Sequence, residues 1–285
     1  MRRHWRSAWN GDLRLAVEVA RWGAQQPHAD LVMSHATGFC KEVLHPVTDA
    51  LATMRSAGRV VSFDHRNHGA SARAPRPHGW WSLADDVLAV LDSVDRPVGV
   101  GHSCGGAALT YAELRRPRMF RSLVLIEPII FPEGPDTDVE DELAKRALRR
   151  KPRFPSREEA YENFAEKPAF GAWDPAALRA YVDHGLVADG SEWALACERH
   201  DEADFYRQAR HQTGWERLGE ITCPVTIVFG EQSSSHSQTF VAELAARFTG
   251  TEVTVVSISG ATHFVPMERP VEIAKLIVAS DDRTN

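Results

Sequence analysis

Short apolar runs recur along this chain, each closed by a turn, and most are followed by a stretch with helical spacing. The beginning is different. Residues 5–9 and 13–22 flank Asn10-Gly11-Asp12, and the second run alternates apolar and polar positions at Leu13, Leu15, Val17 and Val19. That pattern predicts an antiparallel hairpin at a sheet edge. Leu31-Val32-Met33-Ser34-His35 predicts a short buried strand running into Ala36-Thr37-Gly38-Phe39, with a helix over 42–56. A strand over 60–64 leads into a polar loop over 65–71. Ser82-Leu83-Ala84-Asp85 predicts a helix start with a reciprocal cap, and the apolar stripe continues through Val87, Leu88, Val90 and Leu91. Residues 97–100 predict a strand, and the Ala-rich stretch 107–112 a helix. A further strand over 120–126 ends in Glu127-Pro128.

From 129 to about 215 strand signals vanish. Pro132, Pro135, Pro152, Pro155, Pro168 and Pro175 separate helical stretches, one over 138–150. Ser156-Arg157-Glu158-Glu159 opens a second with serine as cap. Asp174-Pro175 opens a third, with proline at the first helical position. The expectation is an all-helical lid over 131–215, inserted into a core made of 1–130 and 216–285. Alternation then resumes, with strands over 224–230 and 252–258 and helices over 238–248 and 271–279. The fold class expected is α/β, a mostly parallel, doubly wound sheet with helices on both faces. Catalytic groups in such sheets gather at the carboxyl ends of the strands. Disorder is expected only at 281–285.

Composition narrows the partners. A chain of 285 residues can bury a full α/β core, and its net charge of −6 argues against nucleic acid or an anionic membrane surface as the main partner. No apolar run approaches the length of a membrane span. The start, Met1-Arg2-Arg3-His4-Trp5-Arg6, is basic but lacks an apolar h-region, so no secretory signal is expected. Cys40, Cys104, Cys197 and Cys223 show neither metal-ligand nor redox spacing, which fits free thiols in the cytoplasm. No cofactor and no metal is implied, and the oligomeric state stays open.

The candidate chemistry begins at Gly101-His102-Ser103-Cys104-Gly105, a serine at the apex of a strand-to-helix turn. This is the setting of a nucleophile elbow, in which flanking glycines make room for a strained apex residue. A Gly-rich turn with a serine helix cap is the bland alternative. The candidate base is His263, on the Gly-containing loop after the last strand, over the edge where Ser103 also sits. The turn His35-Ala36-Thr37-Gly38 offers oxyanion donors. The expected pair is the Thr37 and Cys104 amides, with Gly38 as the substitute for Thr37, while the His35 side chain is expected to hold the loop.

The elbow, the turn 35–38, the loop 63–71 and Gly260-Ala261-Thr262-His263-Phe264 together resemble the α/β-hydrolase fold superfamily. The resemblance covers the core on both sides of the lid. It implies a serine-dependent member, since dehalogenases and epoxide hydrolases of this superfamily carry aspartate at the elbow. It does not imply a substrate. Most relatives place an aspartate in the loop after the strand matching 224–230. Here that loop reads Gly230-Glu231-Gln232-Ser233-Ser234-Ser235, with Ser233 at the expected position, and no aspartate occurs from 205 to 280. Glu127, at the end of the strand after the elbow helix, is the preferred acid, as in members that carry a glutamate there. Glu231 and an acid-free dyad are the alternatives.

Asp64, Arg66 and His68 are expected to tie down a loop beside the elbow. Trp80, Trp81, Trp173, Trp193 and Trp215 are expected either to line an acyl or aromatic pocket or to be core. The basic run 146–151 is expected to be a solvated helix face. The resulting expectation is a hydrolase of largely apolar, small-molecule carboxylic esters, with Ser103 as nucleophile, His263 as base and Glu127 as acid. The rivals are lactone, thioester, amide or carbon–carbon hydrolysis or acyl transfer on the same residues, and a non-catalytic ligand receptor.

Overall fold

A computed structural model describes residues 1–24, 29–92, 94–134, 142–209, 211 and 213–282. Among these, eight strands form one sheet in the order β1-β2-β4-β3-β5-β6-β10-β11. The first two strands, β1 (Arg2–Asn10) and β2 (Leu13–Trp22), make the antiparallel hairpin that the alternation predicts, with β1 at the sheet edge. Gly11 occupies the turn at φ 58°, a conformation that costs glycine little. β2 runs antiparallel to β4 (Gly58–Phe63), and every later neighbour in the sheet is parallel.

The central strands β3 (Leu31–Ser34), β5 (Val98–His102), β6 (Ser122–Ile126) and β10 (Val225–Gly230) are buried at every position. Helices cover both faces, so these strands need apolar or hydrogen-bonded side chains throughout. One apolar cluster fills the face under α2 (Trp80–Leu91) and α3 (Cys104–Arg115). The other lies under α1 (His45–Met54) and the C-terminal helix. Register sets up the site. His102 and Val228 both pair with Ile126, so β5, β6 and β10 end at about one level. Ser34 pairs with Gly101, which brings the turn after β3 beside the elbow.

The segment between β6 and β10 departs from an all-helical insertion. It carries α4 (Glu142–Leu148), α5 (Arg157–Ala165), α6 (Pro175–His184) and α7 (Arg199–Gln208), but also a three-stranded antiparallel sheet. Its strands are β7 (Arg153–Phe154), β8 (Leu186–Asp189) and β9 (Glu192–Leu195). They are two to four residues long, too short for an alternating pattern to stand out. Gly190, at φ 63° between paired Asp189 and Glu192, marks the hairpin. The caps at α5 and α6 follow the sequence. Ser156 Oγ accepts the Glu159 amide (3.1 Å) and Asp174 Oδ1 the Ala176 amide (2.8 Å). The predicted helix over 138–150 falls partly outside the described residues.

Three further expectations are corrected. α2 starts at Trp80, without a side-chain cap, because burial of Trp80 draws the first turn ahead of Ser82. Arg150 is no part of a solvated face: its Nη1 reaches Glu202 Oε2 and its Nη2 the Tyr181 hydroxyl, each at 2.5 Å. The C-terminus is ordered further than expected. After α8 (Gln238–Arg247), β11 (Val253–Ile258) and α9 (Val265–Glu268), helix α10 (Pro270–Asp282) carries Asp281 fully buried, bonded to Arg55 Nη2 at 2.9 Å. Residues 283–285 lie outside the described residues.

Candidate active site

Ser103 links β5 to α3 at φ 56°, ψ −119°, a region that non-glycine residues rarely occupy. The surroundings enforce it. The Ser103 amide donates to the Ile126 carbonyl (2.9 Å), and the Ile129 amide donates back to the Ser103 carbonyl (3.2 Å). A Cβ on Gly101 would lie 2.6 Å from the Gly105 carbonyl oxygen, and one on Gly105 only 2.3 Å from that of Ser34. The two glycines therefore let α3 and β3 close on the apex. Ser103 itself is 6% exposed.

His263 Nε2 lies 3.1 Å from Ser103 Oγ, and His263 Nδ1 lies 3.0 Å from Glu127 Oε2. The His102 Nε2–H holds the His263 carbonyl at 2.8 Å, so the elbow's own histidine fixes the loop that carries His263. Glu127 follows β6 directly, at φ 49°, and is fully buried. Its Oε1 accepts the Gly230 amide (2.8 Å) and its Oε2 the Ser233 hydroxyl (2.6 Å). Burial alone would raise this carboxyl. Hydrogen bonds from His236 and His263 outweigh it and hold Glu127 well below the usual carboxylate range. Glu231, the alternative acid, is exposed and turned to the Ser259 hydroxyl (2.8 Å) and the Gly260 amide (2.9 Å).

The oxyanion alternatives separate. The Gly38 amide is taken by His68 Nε2 at 2.9 Å. The Cys104 amide opens α3, where no helical carbonyl can accept it. Cys104 is a poor nucleophile, because burial pushes its thiol up to about 12. His35 holds the turn, its Nδ1–H meeting the Ala36 carbonyl (2.7 Å) and its Nε2 accepting the His65 amide (3.1 Å). Asp64 receives the Lys41 ammonium (2.7 Å) and the Ala70 amide (2.9 Å), and Arg66 pairs with Asp86 (2.7 Å). These contacts brace the loop beside the elbow.

The inserted segment roofs the site. Trp173 packs on Phe39 (5.2 Å between centroids) and Phe264 (5.5 Å), the residues next to the turn 35–38 and to His263. Glu202 reaches down so far that a Cβ on Gly38 would lie 2.8 Å from its Oε1. The other tryptophans stand elsewhere. Trp80 and Trp215 are core, Trp81 lies against Tyr111, and Trp193 lies under Arg157.

One residue at the site escapes the sequence reading. His236 is 1% exposed, with Nδ1 2.8 Å from Glu127 Oε2 and Nε2 3.0 Å from the Pro128 carbonyl. Its signal in the sequence is a histidine in the loop after β10.

The chain belongs to the alpha/beta hydrolase family, whose model matches residues 31–276. Over 216 residues it is 27% identical to the abhydrolase domain-containing protein AFT2-1 of Alternaria alternata, covering 63% of this chain and 80% of that protein. Over 195 residues it is 25% identical to the bifunctional esterase/perhydrolase DCH of Acinetobacter calcoaceticus, covering 62% and 65%. A solved structure of E-2-(acetamidomethylene)succinate hydrolase superposes with a TM-score of 0.81 at 23% identity, over 99% of this chain and 100% of that one. The protein is a hydrolase of the α/β type. Among the described residues no helix is long and apolar enough to cross a membrane.

Proposed function

We propose that this hydrolase cleaves carboxylic esters through an acyl-enzyme, with Ser103 as nucleophile, His263 as base and Glu127 as acid. The observation that carries the reading is the unbroken chain from Ser103 Oγ to His263 Nε2 (3.1 Å) and from His263 Nδ1 to Glu127 Oε2 (3.0 Å). His263 takes the serine proton as Oγ attacks the ester carbonyl carbon. The Thr37 and Cys104 amides hold the oxygen that becomes negative in the tetrahedral intermediate. The imidazolium, kept in place by the ionised Glu127, returns its proton to the leaving alcohol. Water then adds to the acyl carbon by the same route in reverse, and Ser103 regains its proton.

Residues 131–215 act as a cap on a core made of 1–130 and 216–285. Trp173, Phe39 and Phe264 give the acyl side an apolar wall, which favours a small-molecule, largely apolar substrate. The buried Ser103 fits a site that excludes water once the cap is seated.

A fluorophosphonate probe with a nitrophenyl ester series tests the reading. Labelling and turnover are expected in the wild type, and both disappear in Ser103→Ala, with kcat falling by about 10⁴-fold or more. Turnover retained in Ser103→Ala overturns it. Faster turnover of matched thioesters or amides keeps the triad and replaces the substrate class.

A further inference from the structure

The geometry points to a transition-metal site built into the acid end of the proposed triad, where a zinc-like cation binds and switches the hydrolase off. Among the described residues, the ligand atoms of Glu127, His236 and His263 lie within 4.8 Å of one another. A fourth donor completes the set. Ser235 Oγ is 3.0 Å from His236 Nδ1, 3.3 Å from His263 Nδ1 and 3.3 Å from Glu127 Oε2. Glu127 Oε2 is in turn 2.8 Å from His236 Nδ1 and 3.0 Å from His263 Nδ1. Those are five edges of a tetrahedron. Zinc bound to four ligands at about 2.0–2.1 Å requires ligand–ligand edges of about 3.3 Å. The sixth edge, between the two histidine nitrogens, lies within the same 4.8 Å limit and closes toward that length when the metal binds.

The support around His236 is that of a ligand histidine. Its Nε2 faces the Pro128 carbonyl, which can only accept, so Nε2 carries the hydrogen and the ring is fixed in orientation. Nδ1 stands 2.8 Å from a carboxylate oxygen of Glu127. A proton on Nδ1 satisfies this approach, and a metal ion would take that proton's place. Nitrogen and carboxylate donors together suit zinc, copper or nickel rather than magnesium. Cys40, Cys104, Cys197 and Cys223 are all buried and do not offer a competing thiolate site at the surface.

Binding has a defined consequence. The metal occupies His263 Nδ1, so the ring's single hydrogen shifts from Nδ1 to Nε2. Nε2 then donates to Ser103 Oγ and can no longer accept its proton. This consequence rests on the proposed triad, whereas metal binding does not.

Zinc is titrated calorimetrically into the full-length Ser103→Ala protein, which keeps the four donors and removes turnover. One zinc per chain is expected, with a dissociation constant of about 10 μM or tighter, and no magnesium binding. His236→Gln and His263→Ala should each weaken zinc at least about tenfold. His263 is partly exposed, so the second variant serves if the first fails to fold. In the wild type, zinc should abolish ester turnover and a chelator should restore it. No binding, or binding unchanged in both variants, overturns the proposal. Zinc binding in a protein without esterase activity sinks the ester reading and leaves the site intact. Zinc bound at these residues with esterase activity untouched sinks the switch and the role of His263, and leaves the binding site intact.

Discussion

Replacing Glu127 by glutamine exchanges one carboxylate oxygen for an amide nitrogen, and the structure dictates which one. The Gly230 amide donates to Oε1 at 2.8 Å and requires an acceptor there, so the glutamine oxygen takes that place. Its NH2 group then stands where Oε2 now accepts from His263 Nδ1 at 3.0 Å. Two donors cannot face each other, so the histidine hydrogen moves to Nε2. The base is thereby fixed in the tautomer that cannot accept from Ser103. A wrong-tautomer change of this kind lowers kcat by about 10³–10⁴-fold, equivalent to about 4–5.5 kcal/mol in the barrier. KM should change little, because residue 127 is fully buried behind the base and does not reach substrate. The measurement is kcat and KM on a nitrophenyl ester for the wild type, Glu127→Gln and Glu231→Gln, with melting curves to confirm folding. Glu231→Gln should stay near wild type, since that carboxylate serves only Ser259 and Gly260. A folded Glu127→Gln enzyme within about tenfold of wild type, or a loss confined to Glu231→Gln, refutes the assignment.

Gly105→Ala should destabilise the protein by about 3 kcal/mol or more, because its Cβ would sit 2.3 Å from a carbonyl oxygen of β3 that cannot retreat from the sheet. A thermal melt within a degree or two of wild type contradicts the packing of the elbow. Acid should weaken the fold before carboxylates titrate. Burial lowers His68 to about 4 and His102 to about 3, so both stay neutral in the folded chain while the unfolded chain takes up protons near pH 6.5. The unfolded state binds more protons in that window, so their contribution is complete above about pH 6.5 and falls by about 2 kcal/mol per histidine at pH 5. Urea midpoints at pH 8 and pH 5 check the sign, and an unchanged midpoint is inconsistent with neutral, buried imidazoles.

How much of this was legible in the sequence follows from the range of each interaction. Strands, helices and caps are local, so apolar runs, Ser156 and Asp174 announced them in place. The elbow was legible for the same reason: Gly101 and Gly105 lie two positions either side of the residue whose strain they permit. The short strands of the inserted segment were not, because two to four residues carry no period and their partners decide their state. Glu127 could be nominated from the end of a strand, but its rank over Glu231 rests on contacts spanning more than a hundred residues.

The order of strands and turns along the chain by itself determined an α/β sheet whose loops carry a serine, a histidine and a glutamate at one edge, because hydrophobic period and backbone sterics act over a few residues. Tertiary structure alone decided that the Gly38 amide is spent on His68 and that Arg150 is held by Glu202 and Tyr181. It alone decided that His236 and Ser235 join Glu127 and His263 in one cluster. Those outcomes depend on strand register and on which loops are pressed together at the sheet's carboxyl edge, and side chains brought together across that distance leave no periodic trace.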